Sequence, residues 1–263
     1  LSFHHWGLHA WAIYAVLGLG IAYFYYRHKL PLSLRSCFYP LFGDRIYGWI
    51  GHTIDILAVF GTLFGLATSL GAGAGSVNAG LNRLVGLANS TQHQIIIIVV
   101  ITICAICSLV IGLDKGIRRL SEINMALALL LLGVVLAFGP TVFILERFIE
   151  GIGVYTTNFI DRSFRIGSPG SKETGWIRGW SVVYWGWWIA WAPFVGIFVA
   201  RISKGRTVRD FLLSVIFVPV GVTFFWFAVF GGTALSPEFQ GTIIAAMEKA
   251  GSNADAVAVY AML

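Results

Sequence analysis

Apolar residues along this chain gather into six long runs, at about 6–26, 47–72, 92–113, 124–145, 180–200 and 211–235. Each is long enough for a helix to cross a bilayer, which takes roughly 20 mainly apolar residues. Short polar connections separate most of them. The exception is the stretch 146–179, where charged residues alternate with large apolar ones from Glu146 to Phe164. That spacing predicts an amphipathic helix over about 146–166, lying on the outer membrane surface. The pattern as a whole predicts an all-α integral membrane chain, one transmembrane unit over 1–263, with no soluble domain.

Inside the runs, glycine and proline mark where a helix is expected to thin or bend. Gly61 and Gly65 form a GxxxG pair that lets two helices approach closely, and the run Gly71 to Gly75 is dense enough to thin or break its helix. Gly139-Pro140 predicts a kink in the fourth span. The third span, apolar all round except for Thr102 and Ser108, is expected to face lipid.

Charge then orients the spans. Only 11% of the residues are charged, against roughly 25% in an average soluble domain. Eleven of the eighteen basic residues lie in three alternate connections: Arg27, Lys29, Arg35 and Arg45; Lys115, Arg118 and Arg119; Arg201, Lys204, Arg206 and Arg209. The positive-inside rule makes that side cytoplasmic and places both ends of the chain outside. This topology accounts for the net charge of +6 without a nucleic-acid partner. Residue 1 falls directly before an apolar run without an initiator Met, so the chain reads as an internal piece. Cys104 and Cys107 have CxxC spacing but sit in an unbroken apolar run; with Cys37 they read as small buried hydrophobes.

The candidate chemistry is aromatic. Trp185, Trp187, Trp188 and Trp191 place four indoles within seven residues. On a helix Tyr184, Trp188 and Trp191 share one face. Indole faces attract a cation that has no proton to donate, such as a quaternary ammonium. The competing reading is an aromatic belt at the membrane interface, although nine residues follow the cluster before the first charge at Arg201. The first run brings three more rings. Taken as one helix, it sets Trp6, Trp11 and Tyr14 within an arc of about 140°. His5 and His9 have metal spacing but no acidic or thiol partner nearby, so no metal is expected. Asp55 is the carboxylate inside the second span, either a functional group or a hydrogen-bonded structural one. Thr62, Thr68 and Ser69 offer hydroxyls that ligate an ion or satisfy helix carbonyls. No nucleophile–base pair and no phosphate loop appears, which argues against an enzyme.

The run WGWWIAWAPFVGIFVARISKGRTVRDF, from Trp185 to Phe211, resembles the signature of the betaine/carnitine/choline transporter family. HHWGLHAWAIYAVLGLGIAY, GWIGHTIDILAVFGTLFGLATSLGAGAG, GLDKGIRRLSEINMALAL and FGGTAL resemble other family segments in the expected order, covering nearly the whole chain. The resemblance implies spans four to nine of twelve, part of a LeuT-like inverted-repeat transporter that alternates access around a midplane site. It implies an aromatic box of Trp6, Trp11, Tyr14 and Trp188, with Trp187 and Trp191 lining the same route. Choline or glycine betaine, taken up across the bacterial cytoplasmic membrane for osmoprotection, is the implied substrate. A homotrimer is expected, and no cofactor beyond a coupling ion.

In sodium-coupled members, two threonines one turn apart and the phenylalanine after WxP form one ion site. Thr62 and Phe194 match, but the second threonine is replaced by Leu66, which cannot ligate sodium. Together with LATSLG and GLDKGIRRLSEIN, this resembles the proton-coupled choline branch. The ion-coupling candidates are therefore Thr62, Phe194 and Asp55, with a proton favoured over sodium. A carnitine-type exchanger, or an osmosensor using the basic loop from Arg201 to Arg209, are the alternatives.

Overall fold

The computed structural model describes residues 1–111, 118–250, 257, 258 and 260. Lys115, one of the basic residues that orient the spans, lies outside them. The described residues are helical and contain no strand. Six helical stretches are long and apolar enough to cross a membrane: Ser2–His28, Trp49–Val85, Thr91–Val110, Arg118–Phe138, Lys172–Ile202 and Val208–Leu235. The helices are α1 (Ser2–Trp6), α2 (Leu8–His28), α3 (Tyr39–Phe42), α4 (Trp49–Val85), α5 (Thr91–Ile111), α6 (Arg118–Phe138) and α7 (Thr141–Thr157). They continue with α8 (Phe159–Phe164), α9 (Lys172–Ile177), α10 (Val183–Ile202), α11 (Val208–Leu212), α12 (Val218–Leu235) and α13 (Gln240–Ala250). Contacts divide the chain into two units, Leu1–Ala67 with Gly151–Phe225, and Thr68–Glu150 with Trp226–Leu263.

The first unit is built on α2 and α10, which run parallel and side by side. Tyr14 packs with Trp188 and Ala192, Ala15 with Val199, and Ile21 and Ala22 with Ala200. At the crossing the two backbones nearly touch. A Cβ on Gly196 would lie 3.4 Å from the amide nitrogen of Gly18, and one on Gly18 would lie 3.4 Å from the carbonyl oxygen of Gly196. Small residues are what such an approach requires in a bilayer, where close packing rather than expulsion of water holds helices together. The GxxxG pair of α4 meets the same partner: a Cβ on Gly65 would come 3.2 Å from the Trp191 indole, and one on Gly61 3.7 Å from the Ala190 carbonyl.

Several helix limits differ from the expected ones. Gly71 to Gly75 neither thin nor break α4, which runs 37 residues to Val85. Without water as a competing partner, staying helical is how small residues in a membrane keep their backbone groups bonded. The fourth span lies at Arg118–Phe138 and stops at Gly139-Pro140 rather than kinking there. The Gly139 amide bonds Val135 O at 2.9 Å, a Cβ there would lie 2.5 Å from that oxygen, and Pro140 has no N–H with which to continue. The amphipathic helix starts immediately, as α7, and is interrupted at Asn158 before α8. Upstream of Pro219, residues Leu213–Phe217 form a π-helical turn, a usual adjustment where a proline disturbs the hydrogen-bond ladder.

In the second unit α5 has no buried residue in its most apolar window. Cys104 and Cys107 are accordingly exposed rather than buried, and a thiol is apolar enough to face lipid. Cys37, in the first unit, lies half-buried, and burial pushes its thiol up to about 11. The α4–α5 turn is closed by the fully buried Asn78, which accepts from the Ser90 amide at 3.2 Å and donates to Ala88 O at 3.3 Å.

The Gly18–Gly196 crossing yields a direct expectation. Gly196→Leu would force a branched side chain against the α2 backbone and should cost about 1–3 kcal/mol, read as lower membrane yield and an earlier thermal transition in detergent. Gly221→Ala, at a position where a Cβ meets nothing, should leave both unchanged.

Candidate functional site

The site begins with a break in the first span. Gly7, at φ −93° and ψ −146°, separates α1 from α2. A Cβ on Gly7 would lie 2.3 Å from Phe3 O and 2.8 Å from Tyr155 Oη, so glycine is required for contact reasons. The Leu8 amide, which the break deprives of a helical acceptor, donates to Tyr155 Oη at 3.0 Å. Trp6 therefore does not share one continuous helical face with Trp11 and Tyr14, as the arc of the sequence pattern implied.

The rings still converge. Trp188, 6% exposed, is the hub. The ring centroids of Trp6, Trp11 and Tyr14 stand 5.1, 5.7 and 4.8 Å from its own, at interplanar angles of 78°, 63° and 53°. Trp187 faces Trp6 at 6.3 Å. Trp191 packs on Phe194 at 5.8 Å and lies against Gly65. Trp6, Tyr14, Trp187, Trp188 and Trp191, with Val195, enclose a cavity of about 160 Å³. Trp11 stands behind it, against Trp188 and Tyr14. A cavity of roughly 150 Å³ accepts a benzene-sized guest, about the bulk of a trimethylammonium head. None of these lining residues is a carboxylate. Such a wall offers mainly ring faces to a cation, with the Tyr14 hydroxyl as its one side-chain acceptor among the lining residues.

The histidines of the first span pack around this cluster. His5 stacks on Tyr184 at 4.9 Å and its Nε2 lies 2.9 Å from Ser181 Oγ. His9 stacks on Phe159 and its Nε2 lies 2.8 Å from Ser163 Oγ. His5 and His9, spaced as metal ligands in sequence, are thus each engaged by a serine. Among the described residues no group of three or more His, Cys, Asp or Glu is arranged to hold a metal ion.

The three ion-coupling candidates meet elsewhere. Asp55, Thr62 and Phe194 line a groove of about 360 Å³ with Ser33, Leu34 and Pro193. Asp55 is held from two sides by Arg35, through Nε to Oδ2 at 3.0 Å and through the backbone amide to Oδ1 at 3.2 Å. The Thr62 hydroxyl donates to Ala58 O at 3.0 Å, and Leu66 is exposed. A hard cation takes a shell of oxygen ligands; here one carboxylate is bound to an arginine and one hydroxyl to its own helix.

Linear reading misses Gly7, Tyr155 and Arg35. In the sequence Arg35 reads only as a topology charge, twenty residues before its partner. Tyr155 sits on the apolar face of an amphipathic stretch, where its position announces burial but not a backbone partner.

Residues 1–263 match the family described as BCCT, betaine/carnitine/choline family transporter. The chain belongs to this family. It is 51% identical over 236 residues to a glycine betaine/proline/choline transporter of Vibrio parahaemolyticus, covering 89% of this chain and 42% of that protein. A glycine betaine transporter of Bacillus subtilis is 46% identical over 240 residues, 91% of this chain and 47% of that one. An osmo-independent choline transporter of Acinetobacter baylyi is 43% identical over 235 residues, 89% of this chain and 45% of that one. The chain thus spans less than half the length of each of these BCCT relatives.

The Arg35–Asp55 geometry carries a stability prediction. Arg35→Ala leaves a partly buried carboxylate without its charge partner, and should cost about 1–3 kcal/mol. Adding Asp55→Asn should recover part of that loss. Detergent melts of the two single variants and the double variant measure the coupling.

Proposed function

We propose that the protein to which this chain belongs takes up a quaternary ammonium osmolyte, choline or glycine betaine, across the bacterial inner membrane by secondary active transport. The observation that carries this reading is the carboxylate-free cavity walled by Trp6, Tyr14, Trp187, Trp188 and Trp191. A methylated ammonium head cannot donate a hydrogen bond, so burying it strands no donor. Ring faces supply attraction of about 2 kcal/mol for each desolvated contact. A primary ammonium of similar charge would lose the water on its three donors and find at most the Tyr14 hydroxyl to accept from them, which gives selectivity by chemistry rather than by size. The family assignment and the names of the relatives support the same substrate class.

For coupling, a proton is the favoured ion. The Thr62–Leu66 pair offers sodium a single hydroxyl already bonded to Ala58 O. The reading takes transport to run by alternating access, the aromatic cavity opening in turn to each side.

Two measurements test this in the full-length protein. Trp188→Leu should weaken choline or glycine betaine affinity by about ten- to thirtyfold, read by tryptophan fluorescence and calorimetry, with folding retained; unchanged affinity would remove the aromatic site. In proteoliposomes, uptake should follow an imposed pH gradient and ignore a sodium gradient. Uptake that needs only substrate on the far side would indicate exchange instead.

A further inference from the structure

The helix α1 has five residues, too few to hold a helix by its own hydrogen bonds. Side-chain contacts fix it: His5 is held by Ser181 and Tyr184, and α7 adds two contacts one turn apart. At its near end, the Phe3 ring lies on the backbone of Gly151, where a Cβ would come within 2.9 Å of that ring, and stacks on Phe224 at 4.0 Å. At its far end, the Leu8 amide donates to Tyr155 Oη at 3.0 Å. Trp6 hangs between these two grips. Unlike Trp11, Tyr14 and Trp188, it is carried by neither α2 nor α10.

We propose that Tyr155 is a positioning residue of the quaternary ammonium site, its hydroxyl holding the Gly7 break so that the Trp6 indole stands against Trp188. This rests on the function proposed above. Tyr155 touches no substrate; it is 5% exposed, enclosed by Phe159 and Phe224 at 5.6 and 4.9 Å. Burial pushes its phenol upward, only partly opposed by the bond from the Leu8 amide. Its oxygen accepts from the Leu8 amide. Affinity for substrate is thereby tied to α7, which is not among the spanning stretches.

The test uses the full-length transporter in proteoliposomes, with choline and glycine betaine as probes. Tyr155→Phe removes one oxygen and should raise KM about three- to tenfold, with Vmax as in the parent. Hydrogen exchange at the Leu8 amide should accelerate. The deciding arm is a cycle with Trp6→Leu: the double variant should be no worse than Trp6→Leu alone, because Tyr155 acts only through that ring. Gly151→Ala, which disturbs the other grip, should likewise raise KM and provides the same reading if Tyr155→Phe is poorly inserted. Unchanged KM in both variants, a fall in Vmax alone, or additive losses in the cycle would overturn the proposal. If Trp188→Leu loses binding while Tyr155→Phe does not, the role of Tyr155 falls and the aromatic site stands. If Trp188→Leu binds as the parent does, both fall.

Discussion

Everything in the first unit depends on how closely α2 can lie on α10. In a bilayer two apolar helices gain nothing by leaving lipid for each other except packing contacts, so a stable pair needs a seam of small residues. Gly18 and Gly196 form that seam, with Ala10, Ala15, Ala22, Ala192 and Ala200 along it. Because the helices run parallel, this register has one consequence one or two turns outward from the two glycines. Tyr14 and Trp11 arrive at Trp188, packed among the buried Ala10 and Ala192 of the same seam.

That arrangement separates two jobs that are often done by one residue. In many sites a carboxylate both attracts a cation and fixes its place. Here the carboxylate of the span, Asp55, is bound to Arg35 in a different groove, and the cavity is lined by five aromatic residues and one valine, with no carboxylate. A buried free carboxylate would bring a large desolvation cost and would attract any cation, including hydrated inorganic ones. Rings attract more weakly and chiefly at short range, which rewards a cation that sheds water readily. The chemistry of the wall therefore fits a methylated ammonium better than the chemistry of the groove fits sodium.

The spans are legible in the sequence because length and apolarity are summed over many residues, and the aromatic rings because four indoles in seven positions are hard to misread. Breaks are less legible. Gly139-Pro140 has the pattern of a kink, and whether it bends or ends a helix depends on the residue after it: the Thr141 hydroxyl bonds back to Leu136 O at 2.6 Å and α7 starts at once. The glycine run of α4 has the pattern of a break and stays helical. Gly7, flanked by residues that all favour a continuous run, carries no local warning, yet it interrupts the span. Its signal is a contact with Tyr155, whose hydroxyl bonds a residue 147 positions away, and no local pattern encodes a partner at that distance. Arg35 is hidden for the same reason: a charge in a connection is visible, but its insertion back toward a span is not.

The contrast between α1 and its neighbours shows how such a site combines rigidity with motion. The rings on α2 and α10 are fixed by a crossing in which backbone meets backbone, and no small adjustment can move them. Trp6 is held through the Leu8–Tyr155 hydrogen bond beside a broken helix and through ring contacts, which are individually modest and can be exchanged for others. Local opening in proteins follows such differences, the segments with fewest interlocking contacts moving first. On the reading proposed here, the cavity thus has a firm floor on α10, a firm side on α2 and one looser wall on α1.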